Sequence, residues 1–148
     1  MSPFILVVED DHLQEGPLVE QLDDSFPDCR IDIVCTERDF RDRLSGLRNA
    51  APDLVVMDTM LRWADPKPDS AEPPDEVVEE GFYRAGLRCV DLMAGDDKLK
   101  DVPVILYTIL EKEDLERQGK RLPANITYMR KSPDLGALIR KAHDLTRS

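Results

Sequence analysis

Long hydrophobic runs are missing from this 148-residue chain: no stretch approaches the roughly 18 apolar residues that a membrane-crossing helix needs. A secretory leader is not expected either. The first apolar run meets Glu9, Asp10 and Asp11 almost at once, with no basic stretch before it. Cysteine is scarce: Cys29, Cys35 and Cys89 form no CxxC pair and have no histidine at zinc-finger spacing. They read as reduced core thiols of a cytoplasmic protein. Basic residues are outnumbered, 20 against 31 acids, for a net charge of −11. That balance excludes direct binding to nucleic acid, which needs clustered Lys and Arg. No internal repeat is present, and no glycine-rich loop follows the first apolar run. The acidic sequence EDDHLQEG stands there instead, which excludes a dinucleotide or flavin cradle.

What remains is the composition of one globular domain, 41% hydrophobic and 34% charged. Five short apolar runs recur: Phe4–Val8, Ile31–Val34, Leu54–Met57, Val104–Tyr107 and Ile126–Met129. Several are near-continuous rather than alternating, as suits parallel strands covered on both faces. Between them lie helical segments. Leu13, Leu18, Leu22 and Phe26 mark the first, Phe40, Leu44 and Leu47 the second, and Leu87, Val90 and Leu92 the third. Glu111–Arg121 has no clean stripe and is expected to be the least firmly packed helix. The last segment has Leu135, Leu138, Ile139, Ala142 and Leu145 on one face, with Ser132 as its expected cap and Pro133 at its first position. Gly16-Pro17 either delays the start of the first helix or kinks it. This alternation predicts an α/β sandwich around a parallel sheet.

One connection is unlike the others. Residues 62–80 (RWADPKPDSAEPPDEVVEE) hold four of the eleven prolines and seven acids against two bases. That composition reads as an insertion or long loop within a single domain spanning 1–148, unable to fill a core.

In an open parallel sheet, ligands bind beyond the carboxyl ends of the strands. The first strand delivers Glu9, Asp10 and Asp11 there, the third Asp58, the fourth Thr108 and the fifth Lys131. Clustered carboxylates need a cation, and hard oxygen ligands suit Mg²⁺. An ammonium and a hydroxyl beside them suit a phosphoryl group, and a carboxylate can itself form an acyl phosphate. His12 is read as solvent-facing, because Mg²⁺ prefers oxygen, and His143 as plain surface.

FILVVEDD, PDLVVMD, VPVILYT and YMRKSPD, in that order and each at a strand end, resemble the response-regulator receiver family over nearly the whole chain apart from 62–80. The resemblance implies a flavodoxin-like, doubly wound five-stranded parallel sheet of order 2-1-3-4-5 with helices on both faces. It makes Asp58 the phosphoacceptor, Asp10 and Asp11 the metal-site acids with the backbone carbonyl of Met60, and Glu9 their support. Lys131 neutralises the phosphoryl group, and Thr108 and Tyr128 form the switch. It further implies Mg²⁺ as cofactor, a histidine kinase or phosphotransfer protein as donor, a downstream protein target, no membrane, and a monomer or weak dimer.

Three positions depart from the family pattern. Ser132 rather than proline follows Lys131, so no cis peptide is expected there. Arg62 stands where proline is common, and Ile109 where a small residue is. Two other readings compete with this one. A haloacid-dehalogenase-type phosphatase needs a second Asp two residues after the nucleophile, and Met60 occupies that place. A pseudo-receiver, binding partners without phosphorylation, stays open.

Overall fold

In the computed structural model, residues 3–64, 72–116 and 122–146 are described. Strands form where the apolar runs lie, three of them one residue longer than expected. They are β1 (Phe4–Val8), β2 (Arg30–Val34), β3 (Leu54–Met57), β4 (Val104–Thr108) and β5 (Ile126–Arg130). All neighbours pair in parallel, in the order β2-β1-β3-β4-β5, the order implied by the resemblance. The three central strands are almost wholly buried while β2 and β5 are part-exposed edges, which explains why the central runs carry no polar alternation.

Successive side chains on a strand face opposite ways, and the core divides accordingly. Leu6, Val8, Val55, Met57 and Leu106 pack beneath α2 (Glu37–Asn49), α4 (Ala85–Ala94) and α5 (Lys112–Leu115). Ile5, Val7, Leu54, Val56 and Ile105 pack beneath α1 (His12–Ser25) and α6 (Gly136–Thr146). The helices thus cover both faces of the sheet.

Local chemistry moves several boundaries. Asp11 caps α1, its carboxylate accepting the Leu13 N–H at 2.9 Å, so the helix starts at His12 and Pro17 lies inside it. Proline there leaves the Leu13 carbonyl without its helical partner. Leu13 is 87% exposed, so water can serve that carbonyl, and Leu13 does not join Leu18, Leu22 and Phe26 in the core. In α6 the expected cap is displaced. The Gly136 N–H binds Asp134 Oδ1 at 2.8 Å, and Ser132 Oγ accepts from Asp134, which leaves Pro133 outside the helix. His143 is not plain surface, since its ring stacks on Phe26 with centroids 4.1 Å apart. Of the three thiols only Cys89 is core; Cys29 and Cys35 are half-buried. α5 has four residues, and the expected continuation through 117–121 lies outside the described residues.

The segment 62–80 is structured at both ends, with 65–71 outside the described residues. The Arg62 and Trp63 carbonyls accept the Glu37 and Arg38 N–H groups at 3.0 and 2.8 Å, serving the start of α2. At the other end lies α3 (Asp75–Glu80), with Val77 buried. Against the expectation from composition, this end joins a charge network. Glu37, fully buried, takes a forked pair from Arg88 at 2.7 and 3.0 Å and a third bond from Arg41 at 2.8 Å. Arg88 reaches on to Glu80 and the Gly81 carbonyl, and Arg41 to Glu76. Burial alone would lower the Arg88 pKa, yet Glu37 and Glu80 hold it above the ordinary value.

Candidate functional site

The carboxyl edge of the sheet carries the site. Asp58 follows β3 and its N–H binds the Val8 carbonyl at 2.9 Å, while Glu9 follows β1 and binds the Val34 carbonyl at 3.0 Å. These ladder bonds continue past the strand ends and hold both carboxylates side by side. Lys131 follows β5, with its N–H on the Thr108 carbonyl at 2.8 Å. Its Nζ lies 2.8 Å from Asp58 Oδ2 and 3.0 and 3.2 Å from the Glu9 oxygens, and also contacts Gln14 Oε1. Asp58 Oδ1 accepts the Met60 N–H at 3.2 Å.

Carboxylate oxygens of Glu9, Asp10 and Asp58 all lie within 4.8 Å of one another. Glu9 is 4% and Asp58 5% exposed, so water screens them poorly. Burial pushes the Glu9 carboxyl up to about 8. The hydrogen bond and negative charge of Asp58 add to this, and Lys131 pulls the other way. Lys131 is itself held above its ordinary value, since Asp58 and Glu9 outweigh the cost of its burial. Asp10 is tied from the opposite side: the Arg62 N–H reaches its Oδ2 at 3.2 Å and the guanidinium stands 3.7 Å away. Three crowded carboxylates facing one ammonium are what a hard divalent cation relieves, and their oxygens fit Mg²⁺ or Mn²⁺.

Glu9, Asp10, Asp58 and Lys131, all expected at the site, meet there. Glu9, expected behind the acidic pair, is itself in the carboxylate group, whereas the carboxylate of Asp11 is engaged in capping α1. The signal for that was available, since Asp directly before a helical stretch is a favoured cap. Thr108 is fully buried, its hydroxyl 2.7 Å from Thr59 Oγ1 and accepting the Leu110 N–H at 3.1 Å. Tyr128 donates to the Leu110 carbonyl at 2.6 Å, so both expected switch residues converge on the backbone just past β4. Among the described residues no peptide is cis, and the Ser132 N–H and carbonyl both bond the Tyr107 hydroxyl, at 3.1 and 3.0 Å.

Sequence reading missed Gly86. A Cβ there would lie 2.2 Å from the Asp58 carbonyl oxygen and 2.7 Å from the Thr59 Cα, and the Gly86 N–H binds the Thr59 carbonyl at 2.9 Å. Only a residue without a side chain lets α4 approach the Asp58–Thr59 backbone so closely. Nothing in the local sequence GFYRAGL marks that glycine as a contact rather than a helix weakness.

No protein-family model matches the chain, and no curated protein matches it in sequence. Solved structures do match. The phosphorylated cyanobacterial phytochrome response regulator RcpA is 23% identical, with a TM-score of 0.66 over 99% of this chain and 90% of that one. The signal receiver domain of a signal transduction histidine kinase from Syntrophus aciditrophicus is 21% identical, with a TM-score of 0.69 over 98% of this chain and 90% of that one. The Mn²⁺-bound form of response regulator Rcp1 is 22% identical, with a TM-score of 0.60 over 97% and 91%. What this chain shares with them is the fold: five parallel strands in the order 2-1-3-4-5, the fold of receiver domains.

Proposed function

We propose that the chain is a phosphoacceptor that takes a phosphoryl group from a histidine kinase or phosphotransfer protein onto Asp58. The observation that carries this reading is Lys131 Nζ at 2.8 Å from Asp58 Oδ2, inside a group of carboxylates that needs a cation. The crystallised Rcp1 binds Mn²⁺ and the crystallised RcpA is phosphorylated, which agrees with metal-assisted chemistry in this fold.

A carboxylate oxygen of Asp58 attacks phosphorus as the bond to the donor imidazole breaks, and the product is an acyl phosphate. Transfer of this kind needs positioning and charge neutralisation more than covalent help. Glu9, Asp10 and Asp58, with the Met60 carbonyl, would hold Mg²⁺, which supplies positive charge to the phosphoryl oxygens. Asp11 accepts the Leu13 N–H on Oδ1 and could join them through Oδ2. Lys131 already touches Asp58 and neutralises the remaining charge. Once Asp58 carries the group, the Thr108 hydroxyl turns toward it from Thr59, and Tyr128 follows from Leu110. That rearrangement at the end of β4 is the signal presented to a downstream protein.

Incubation with acetyl phosphate, read by intact mass, tests this. Wild type with Mg²⁺ should gain one phosphoryl group, and neither Asp58→Asn nor wild type in excess EDTA should do so. Unmodified wild type would leave the chain a binding module, and a modified Asp58→Asn would move the acceptor elsewhere.

A further inference from the structure

Beside the carboxylate group, the fold assembles a second set of metal-binding atoms that sequence spacing hides. His12 and Glu15 stand at i and i+3 on the first turn of α1, with Nδ1 and Oε2 3.2 Å apart. Cys35 follows β2, directly before Thr36, the cap of α2. One imidazole nitrogen, one carboxylate oxygen and the Cys35 sulfur all lie within 4.8 Å of one another. The thiol is half-buried and in no disulfide.

We infer that His12, Glu15 and Cys35 form a site for a borderline-soft divalent cation, Zn²⁺ above all, with water completing the coordination. Zinc–nitrogen, zinc–oxygen and zinc–sulfur bonds of roughly 2.0 to 2.3 Å in a tetrahedron put donor atoms about 3.3 to 3.6 Å apart. The His12–Glu15 spacing of 3.2 Å is just below that range, and the sulfur, within 4.8 Å of both, needs only a modest side-chain adjustment to reach it. The His12 side chain, 79% exposed, is free to turn. Sulfur and imidazole donors select zinc over the magnesium suited to the all-oxygen group next door. Binding replaces the thiol S–H bond by S–Zn and releases the proton to water. One thiolate and one carboxylate balance the ion's two charges, and neighbouring Asp10 and Asp11 make the surroundings more favourable to a cation. The bound metal would tie the start of α1 to the β2–α2 joint. This inference does not depend on phosphorylation of Asp58.

Co²⁺ reports such a site directly, through a thiolate-to-metal charge-transfer band and intense visible bands of tetrahedral geometry. The full chain in excess Mg²⁺, reduced and titrated with Co²⁺, should show both at one equivalent, and Zn²⁺ should abolish them. Cys35→Ser should remove the charge-transfer band, and His12→Ala should weaken binding by roughly tenfold or more. Asp58→Asn and Cys29→Ser should leave the spectrum unchanged. No charge-transfer band in wild type, a band that survives Cys35→Ser, or one lost in Cys29→Ser would overturn the assignment.

Discussion

At the scale of the residue, the site is an electrostatic conflict held in place by backbone. Ladder bonds from Asp58 to Val8 and from Glu9 to Val34 fix two buried carboxylates beside each other, and the Lys131 ammonium touches both. The Glu9 carboxyl therefore keeps its proton up to about pH 8 in the folded chain, against its ordinary 4.5. Between those values the native state binds more protons than the unfolded state, so stability falls as pH rises. The contribution is complete below 4.5 and gone above about 8. One proton limits the slope to about 1.4 kcal/mol per pH unit. Urea unfolding without metal should show this decline across the window. Asp58→Asn, lacking the second charge, should show a shallower decline and a higher melting temperature than wild type. Mg²⁺ should stabilise wild type by about 2.7 kcal/mol at a hundredfold excess over Kd, and the variant by less. A flat pH profile, or a variant that melts no higher, would dismiss charge crowding.

At the scale of the element, the close seat of α4 is what the Asp58–Thr59 backbone leans on. Gly86→Ala would force a methyl group onto the Asp58 and Thr59 backbone, where no flexible side chain can yield. It should cost about 1 to 3 kcal/mol, the range for overpacking, and slow phosphorylation because the displaced atoms belong to Asp58 itself. Stability unchanged in denaturant titration would show that α4 shifts freely. The central strands were legible in the sequence because two-sided burial leaves an unbroken apolar run, as in Leu54–Met57. Helix starts were less so. Ser132-Pro133 carries the composition of a cap and first turn, yet Asp134 two residues on takes the Gly136 N–H. Local composition does not rank competing caps. The meeting of Glu9, Asp10, Asp58 and Lys131 at one edge was legible because strand ends converge by topology. The role of Glu37 was not, since its partners Arg88 and Arg41 come from a distant helix and its own.

At the scale of the whole molecule, the acidic segment after β3 links the site to the surface of α2. The Arg62 N–H holds Asp10, the Trp63 carbonyl receives Arg38, and the Arg41 guanidinium stands 5.3 Å over the Trp63 ring. A cation at Asp10 competes with Arg62 and should move the neighbouring indole. Because Trp63 is the only tryptophan, its fluorescence should shift on addition of Mg²⁺ and further with beryllofluoride; an unchanged spectrum would uncouple segment and site. Pro74 accepts the Val77 and Val78 N–H groups at the start of α3, so shortening this segment by removing residues as far as Asp75 would take away that start. The account stands or falls on the acyl phosphate. Borohydride reduces an aspartyl phosphate to homoserine, which peptide mass mapping locates. After phosphodonor and Mg²⁺, homoserine should appear at position 58 alone, and not when Mg²⁺ is withheld. An intact Asp58 under those conditions, or homoserine at position 10 or 11, would contradict the assignment.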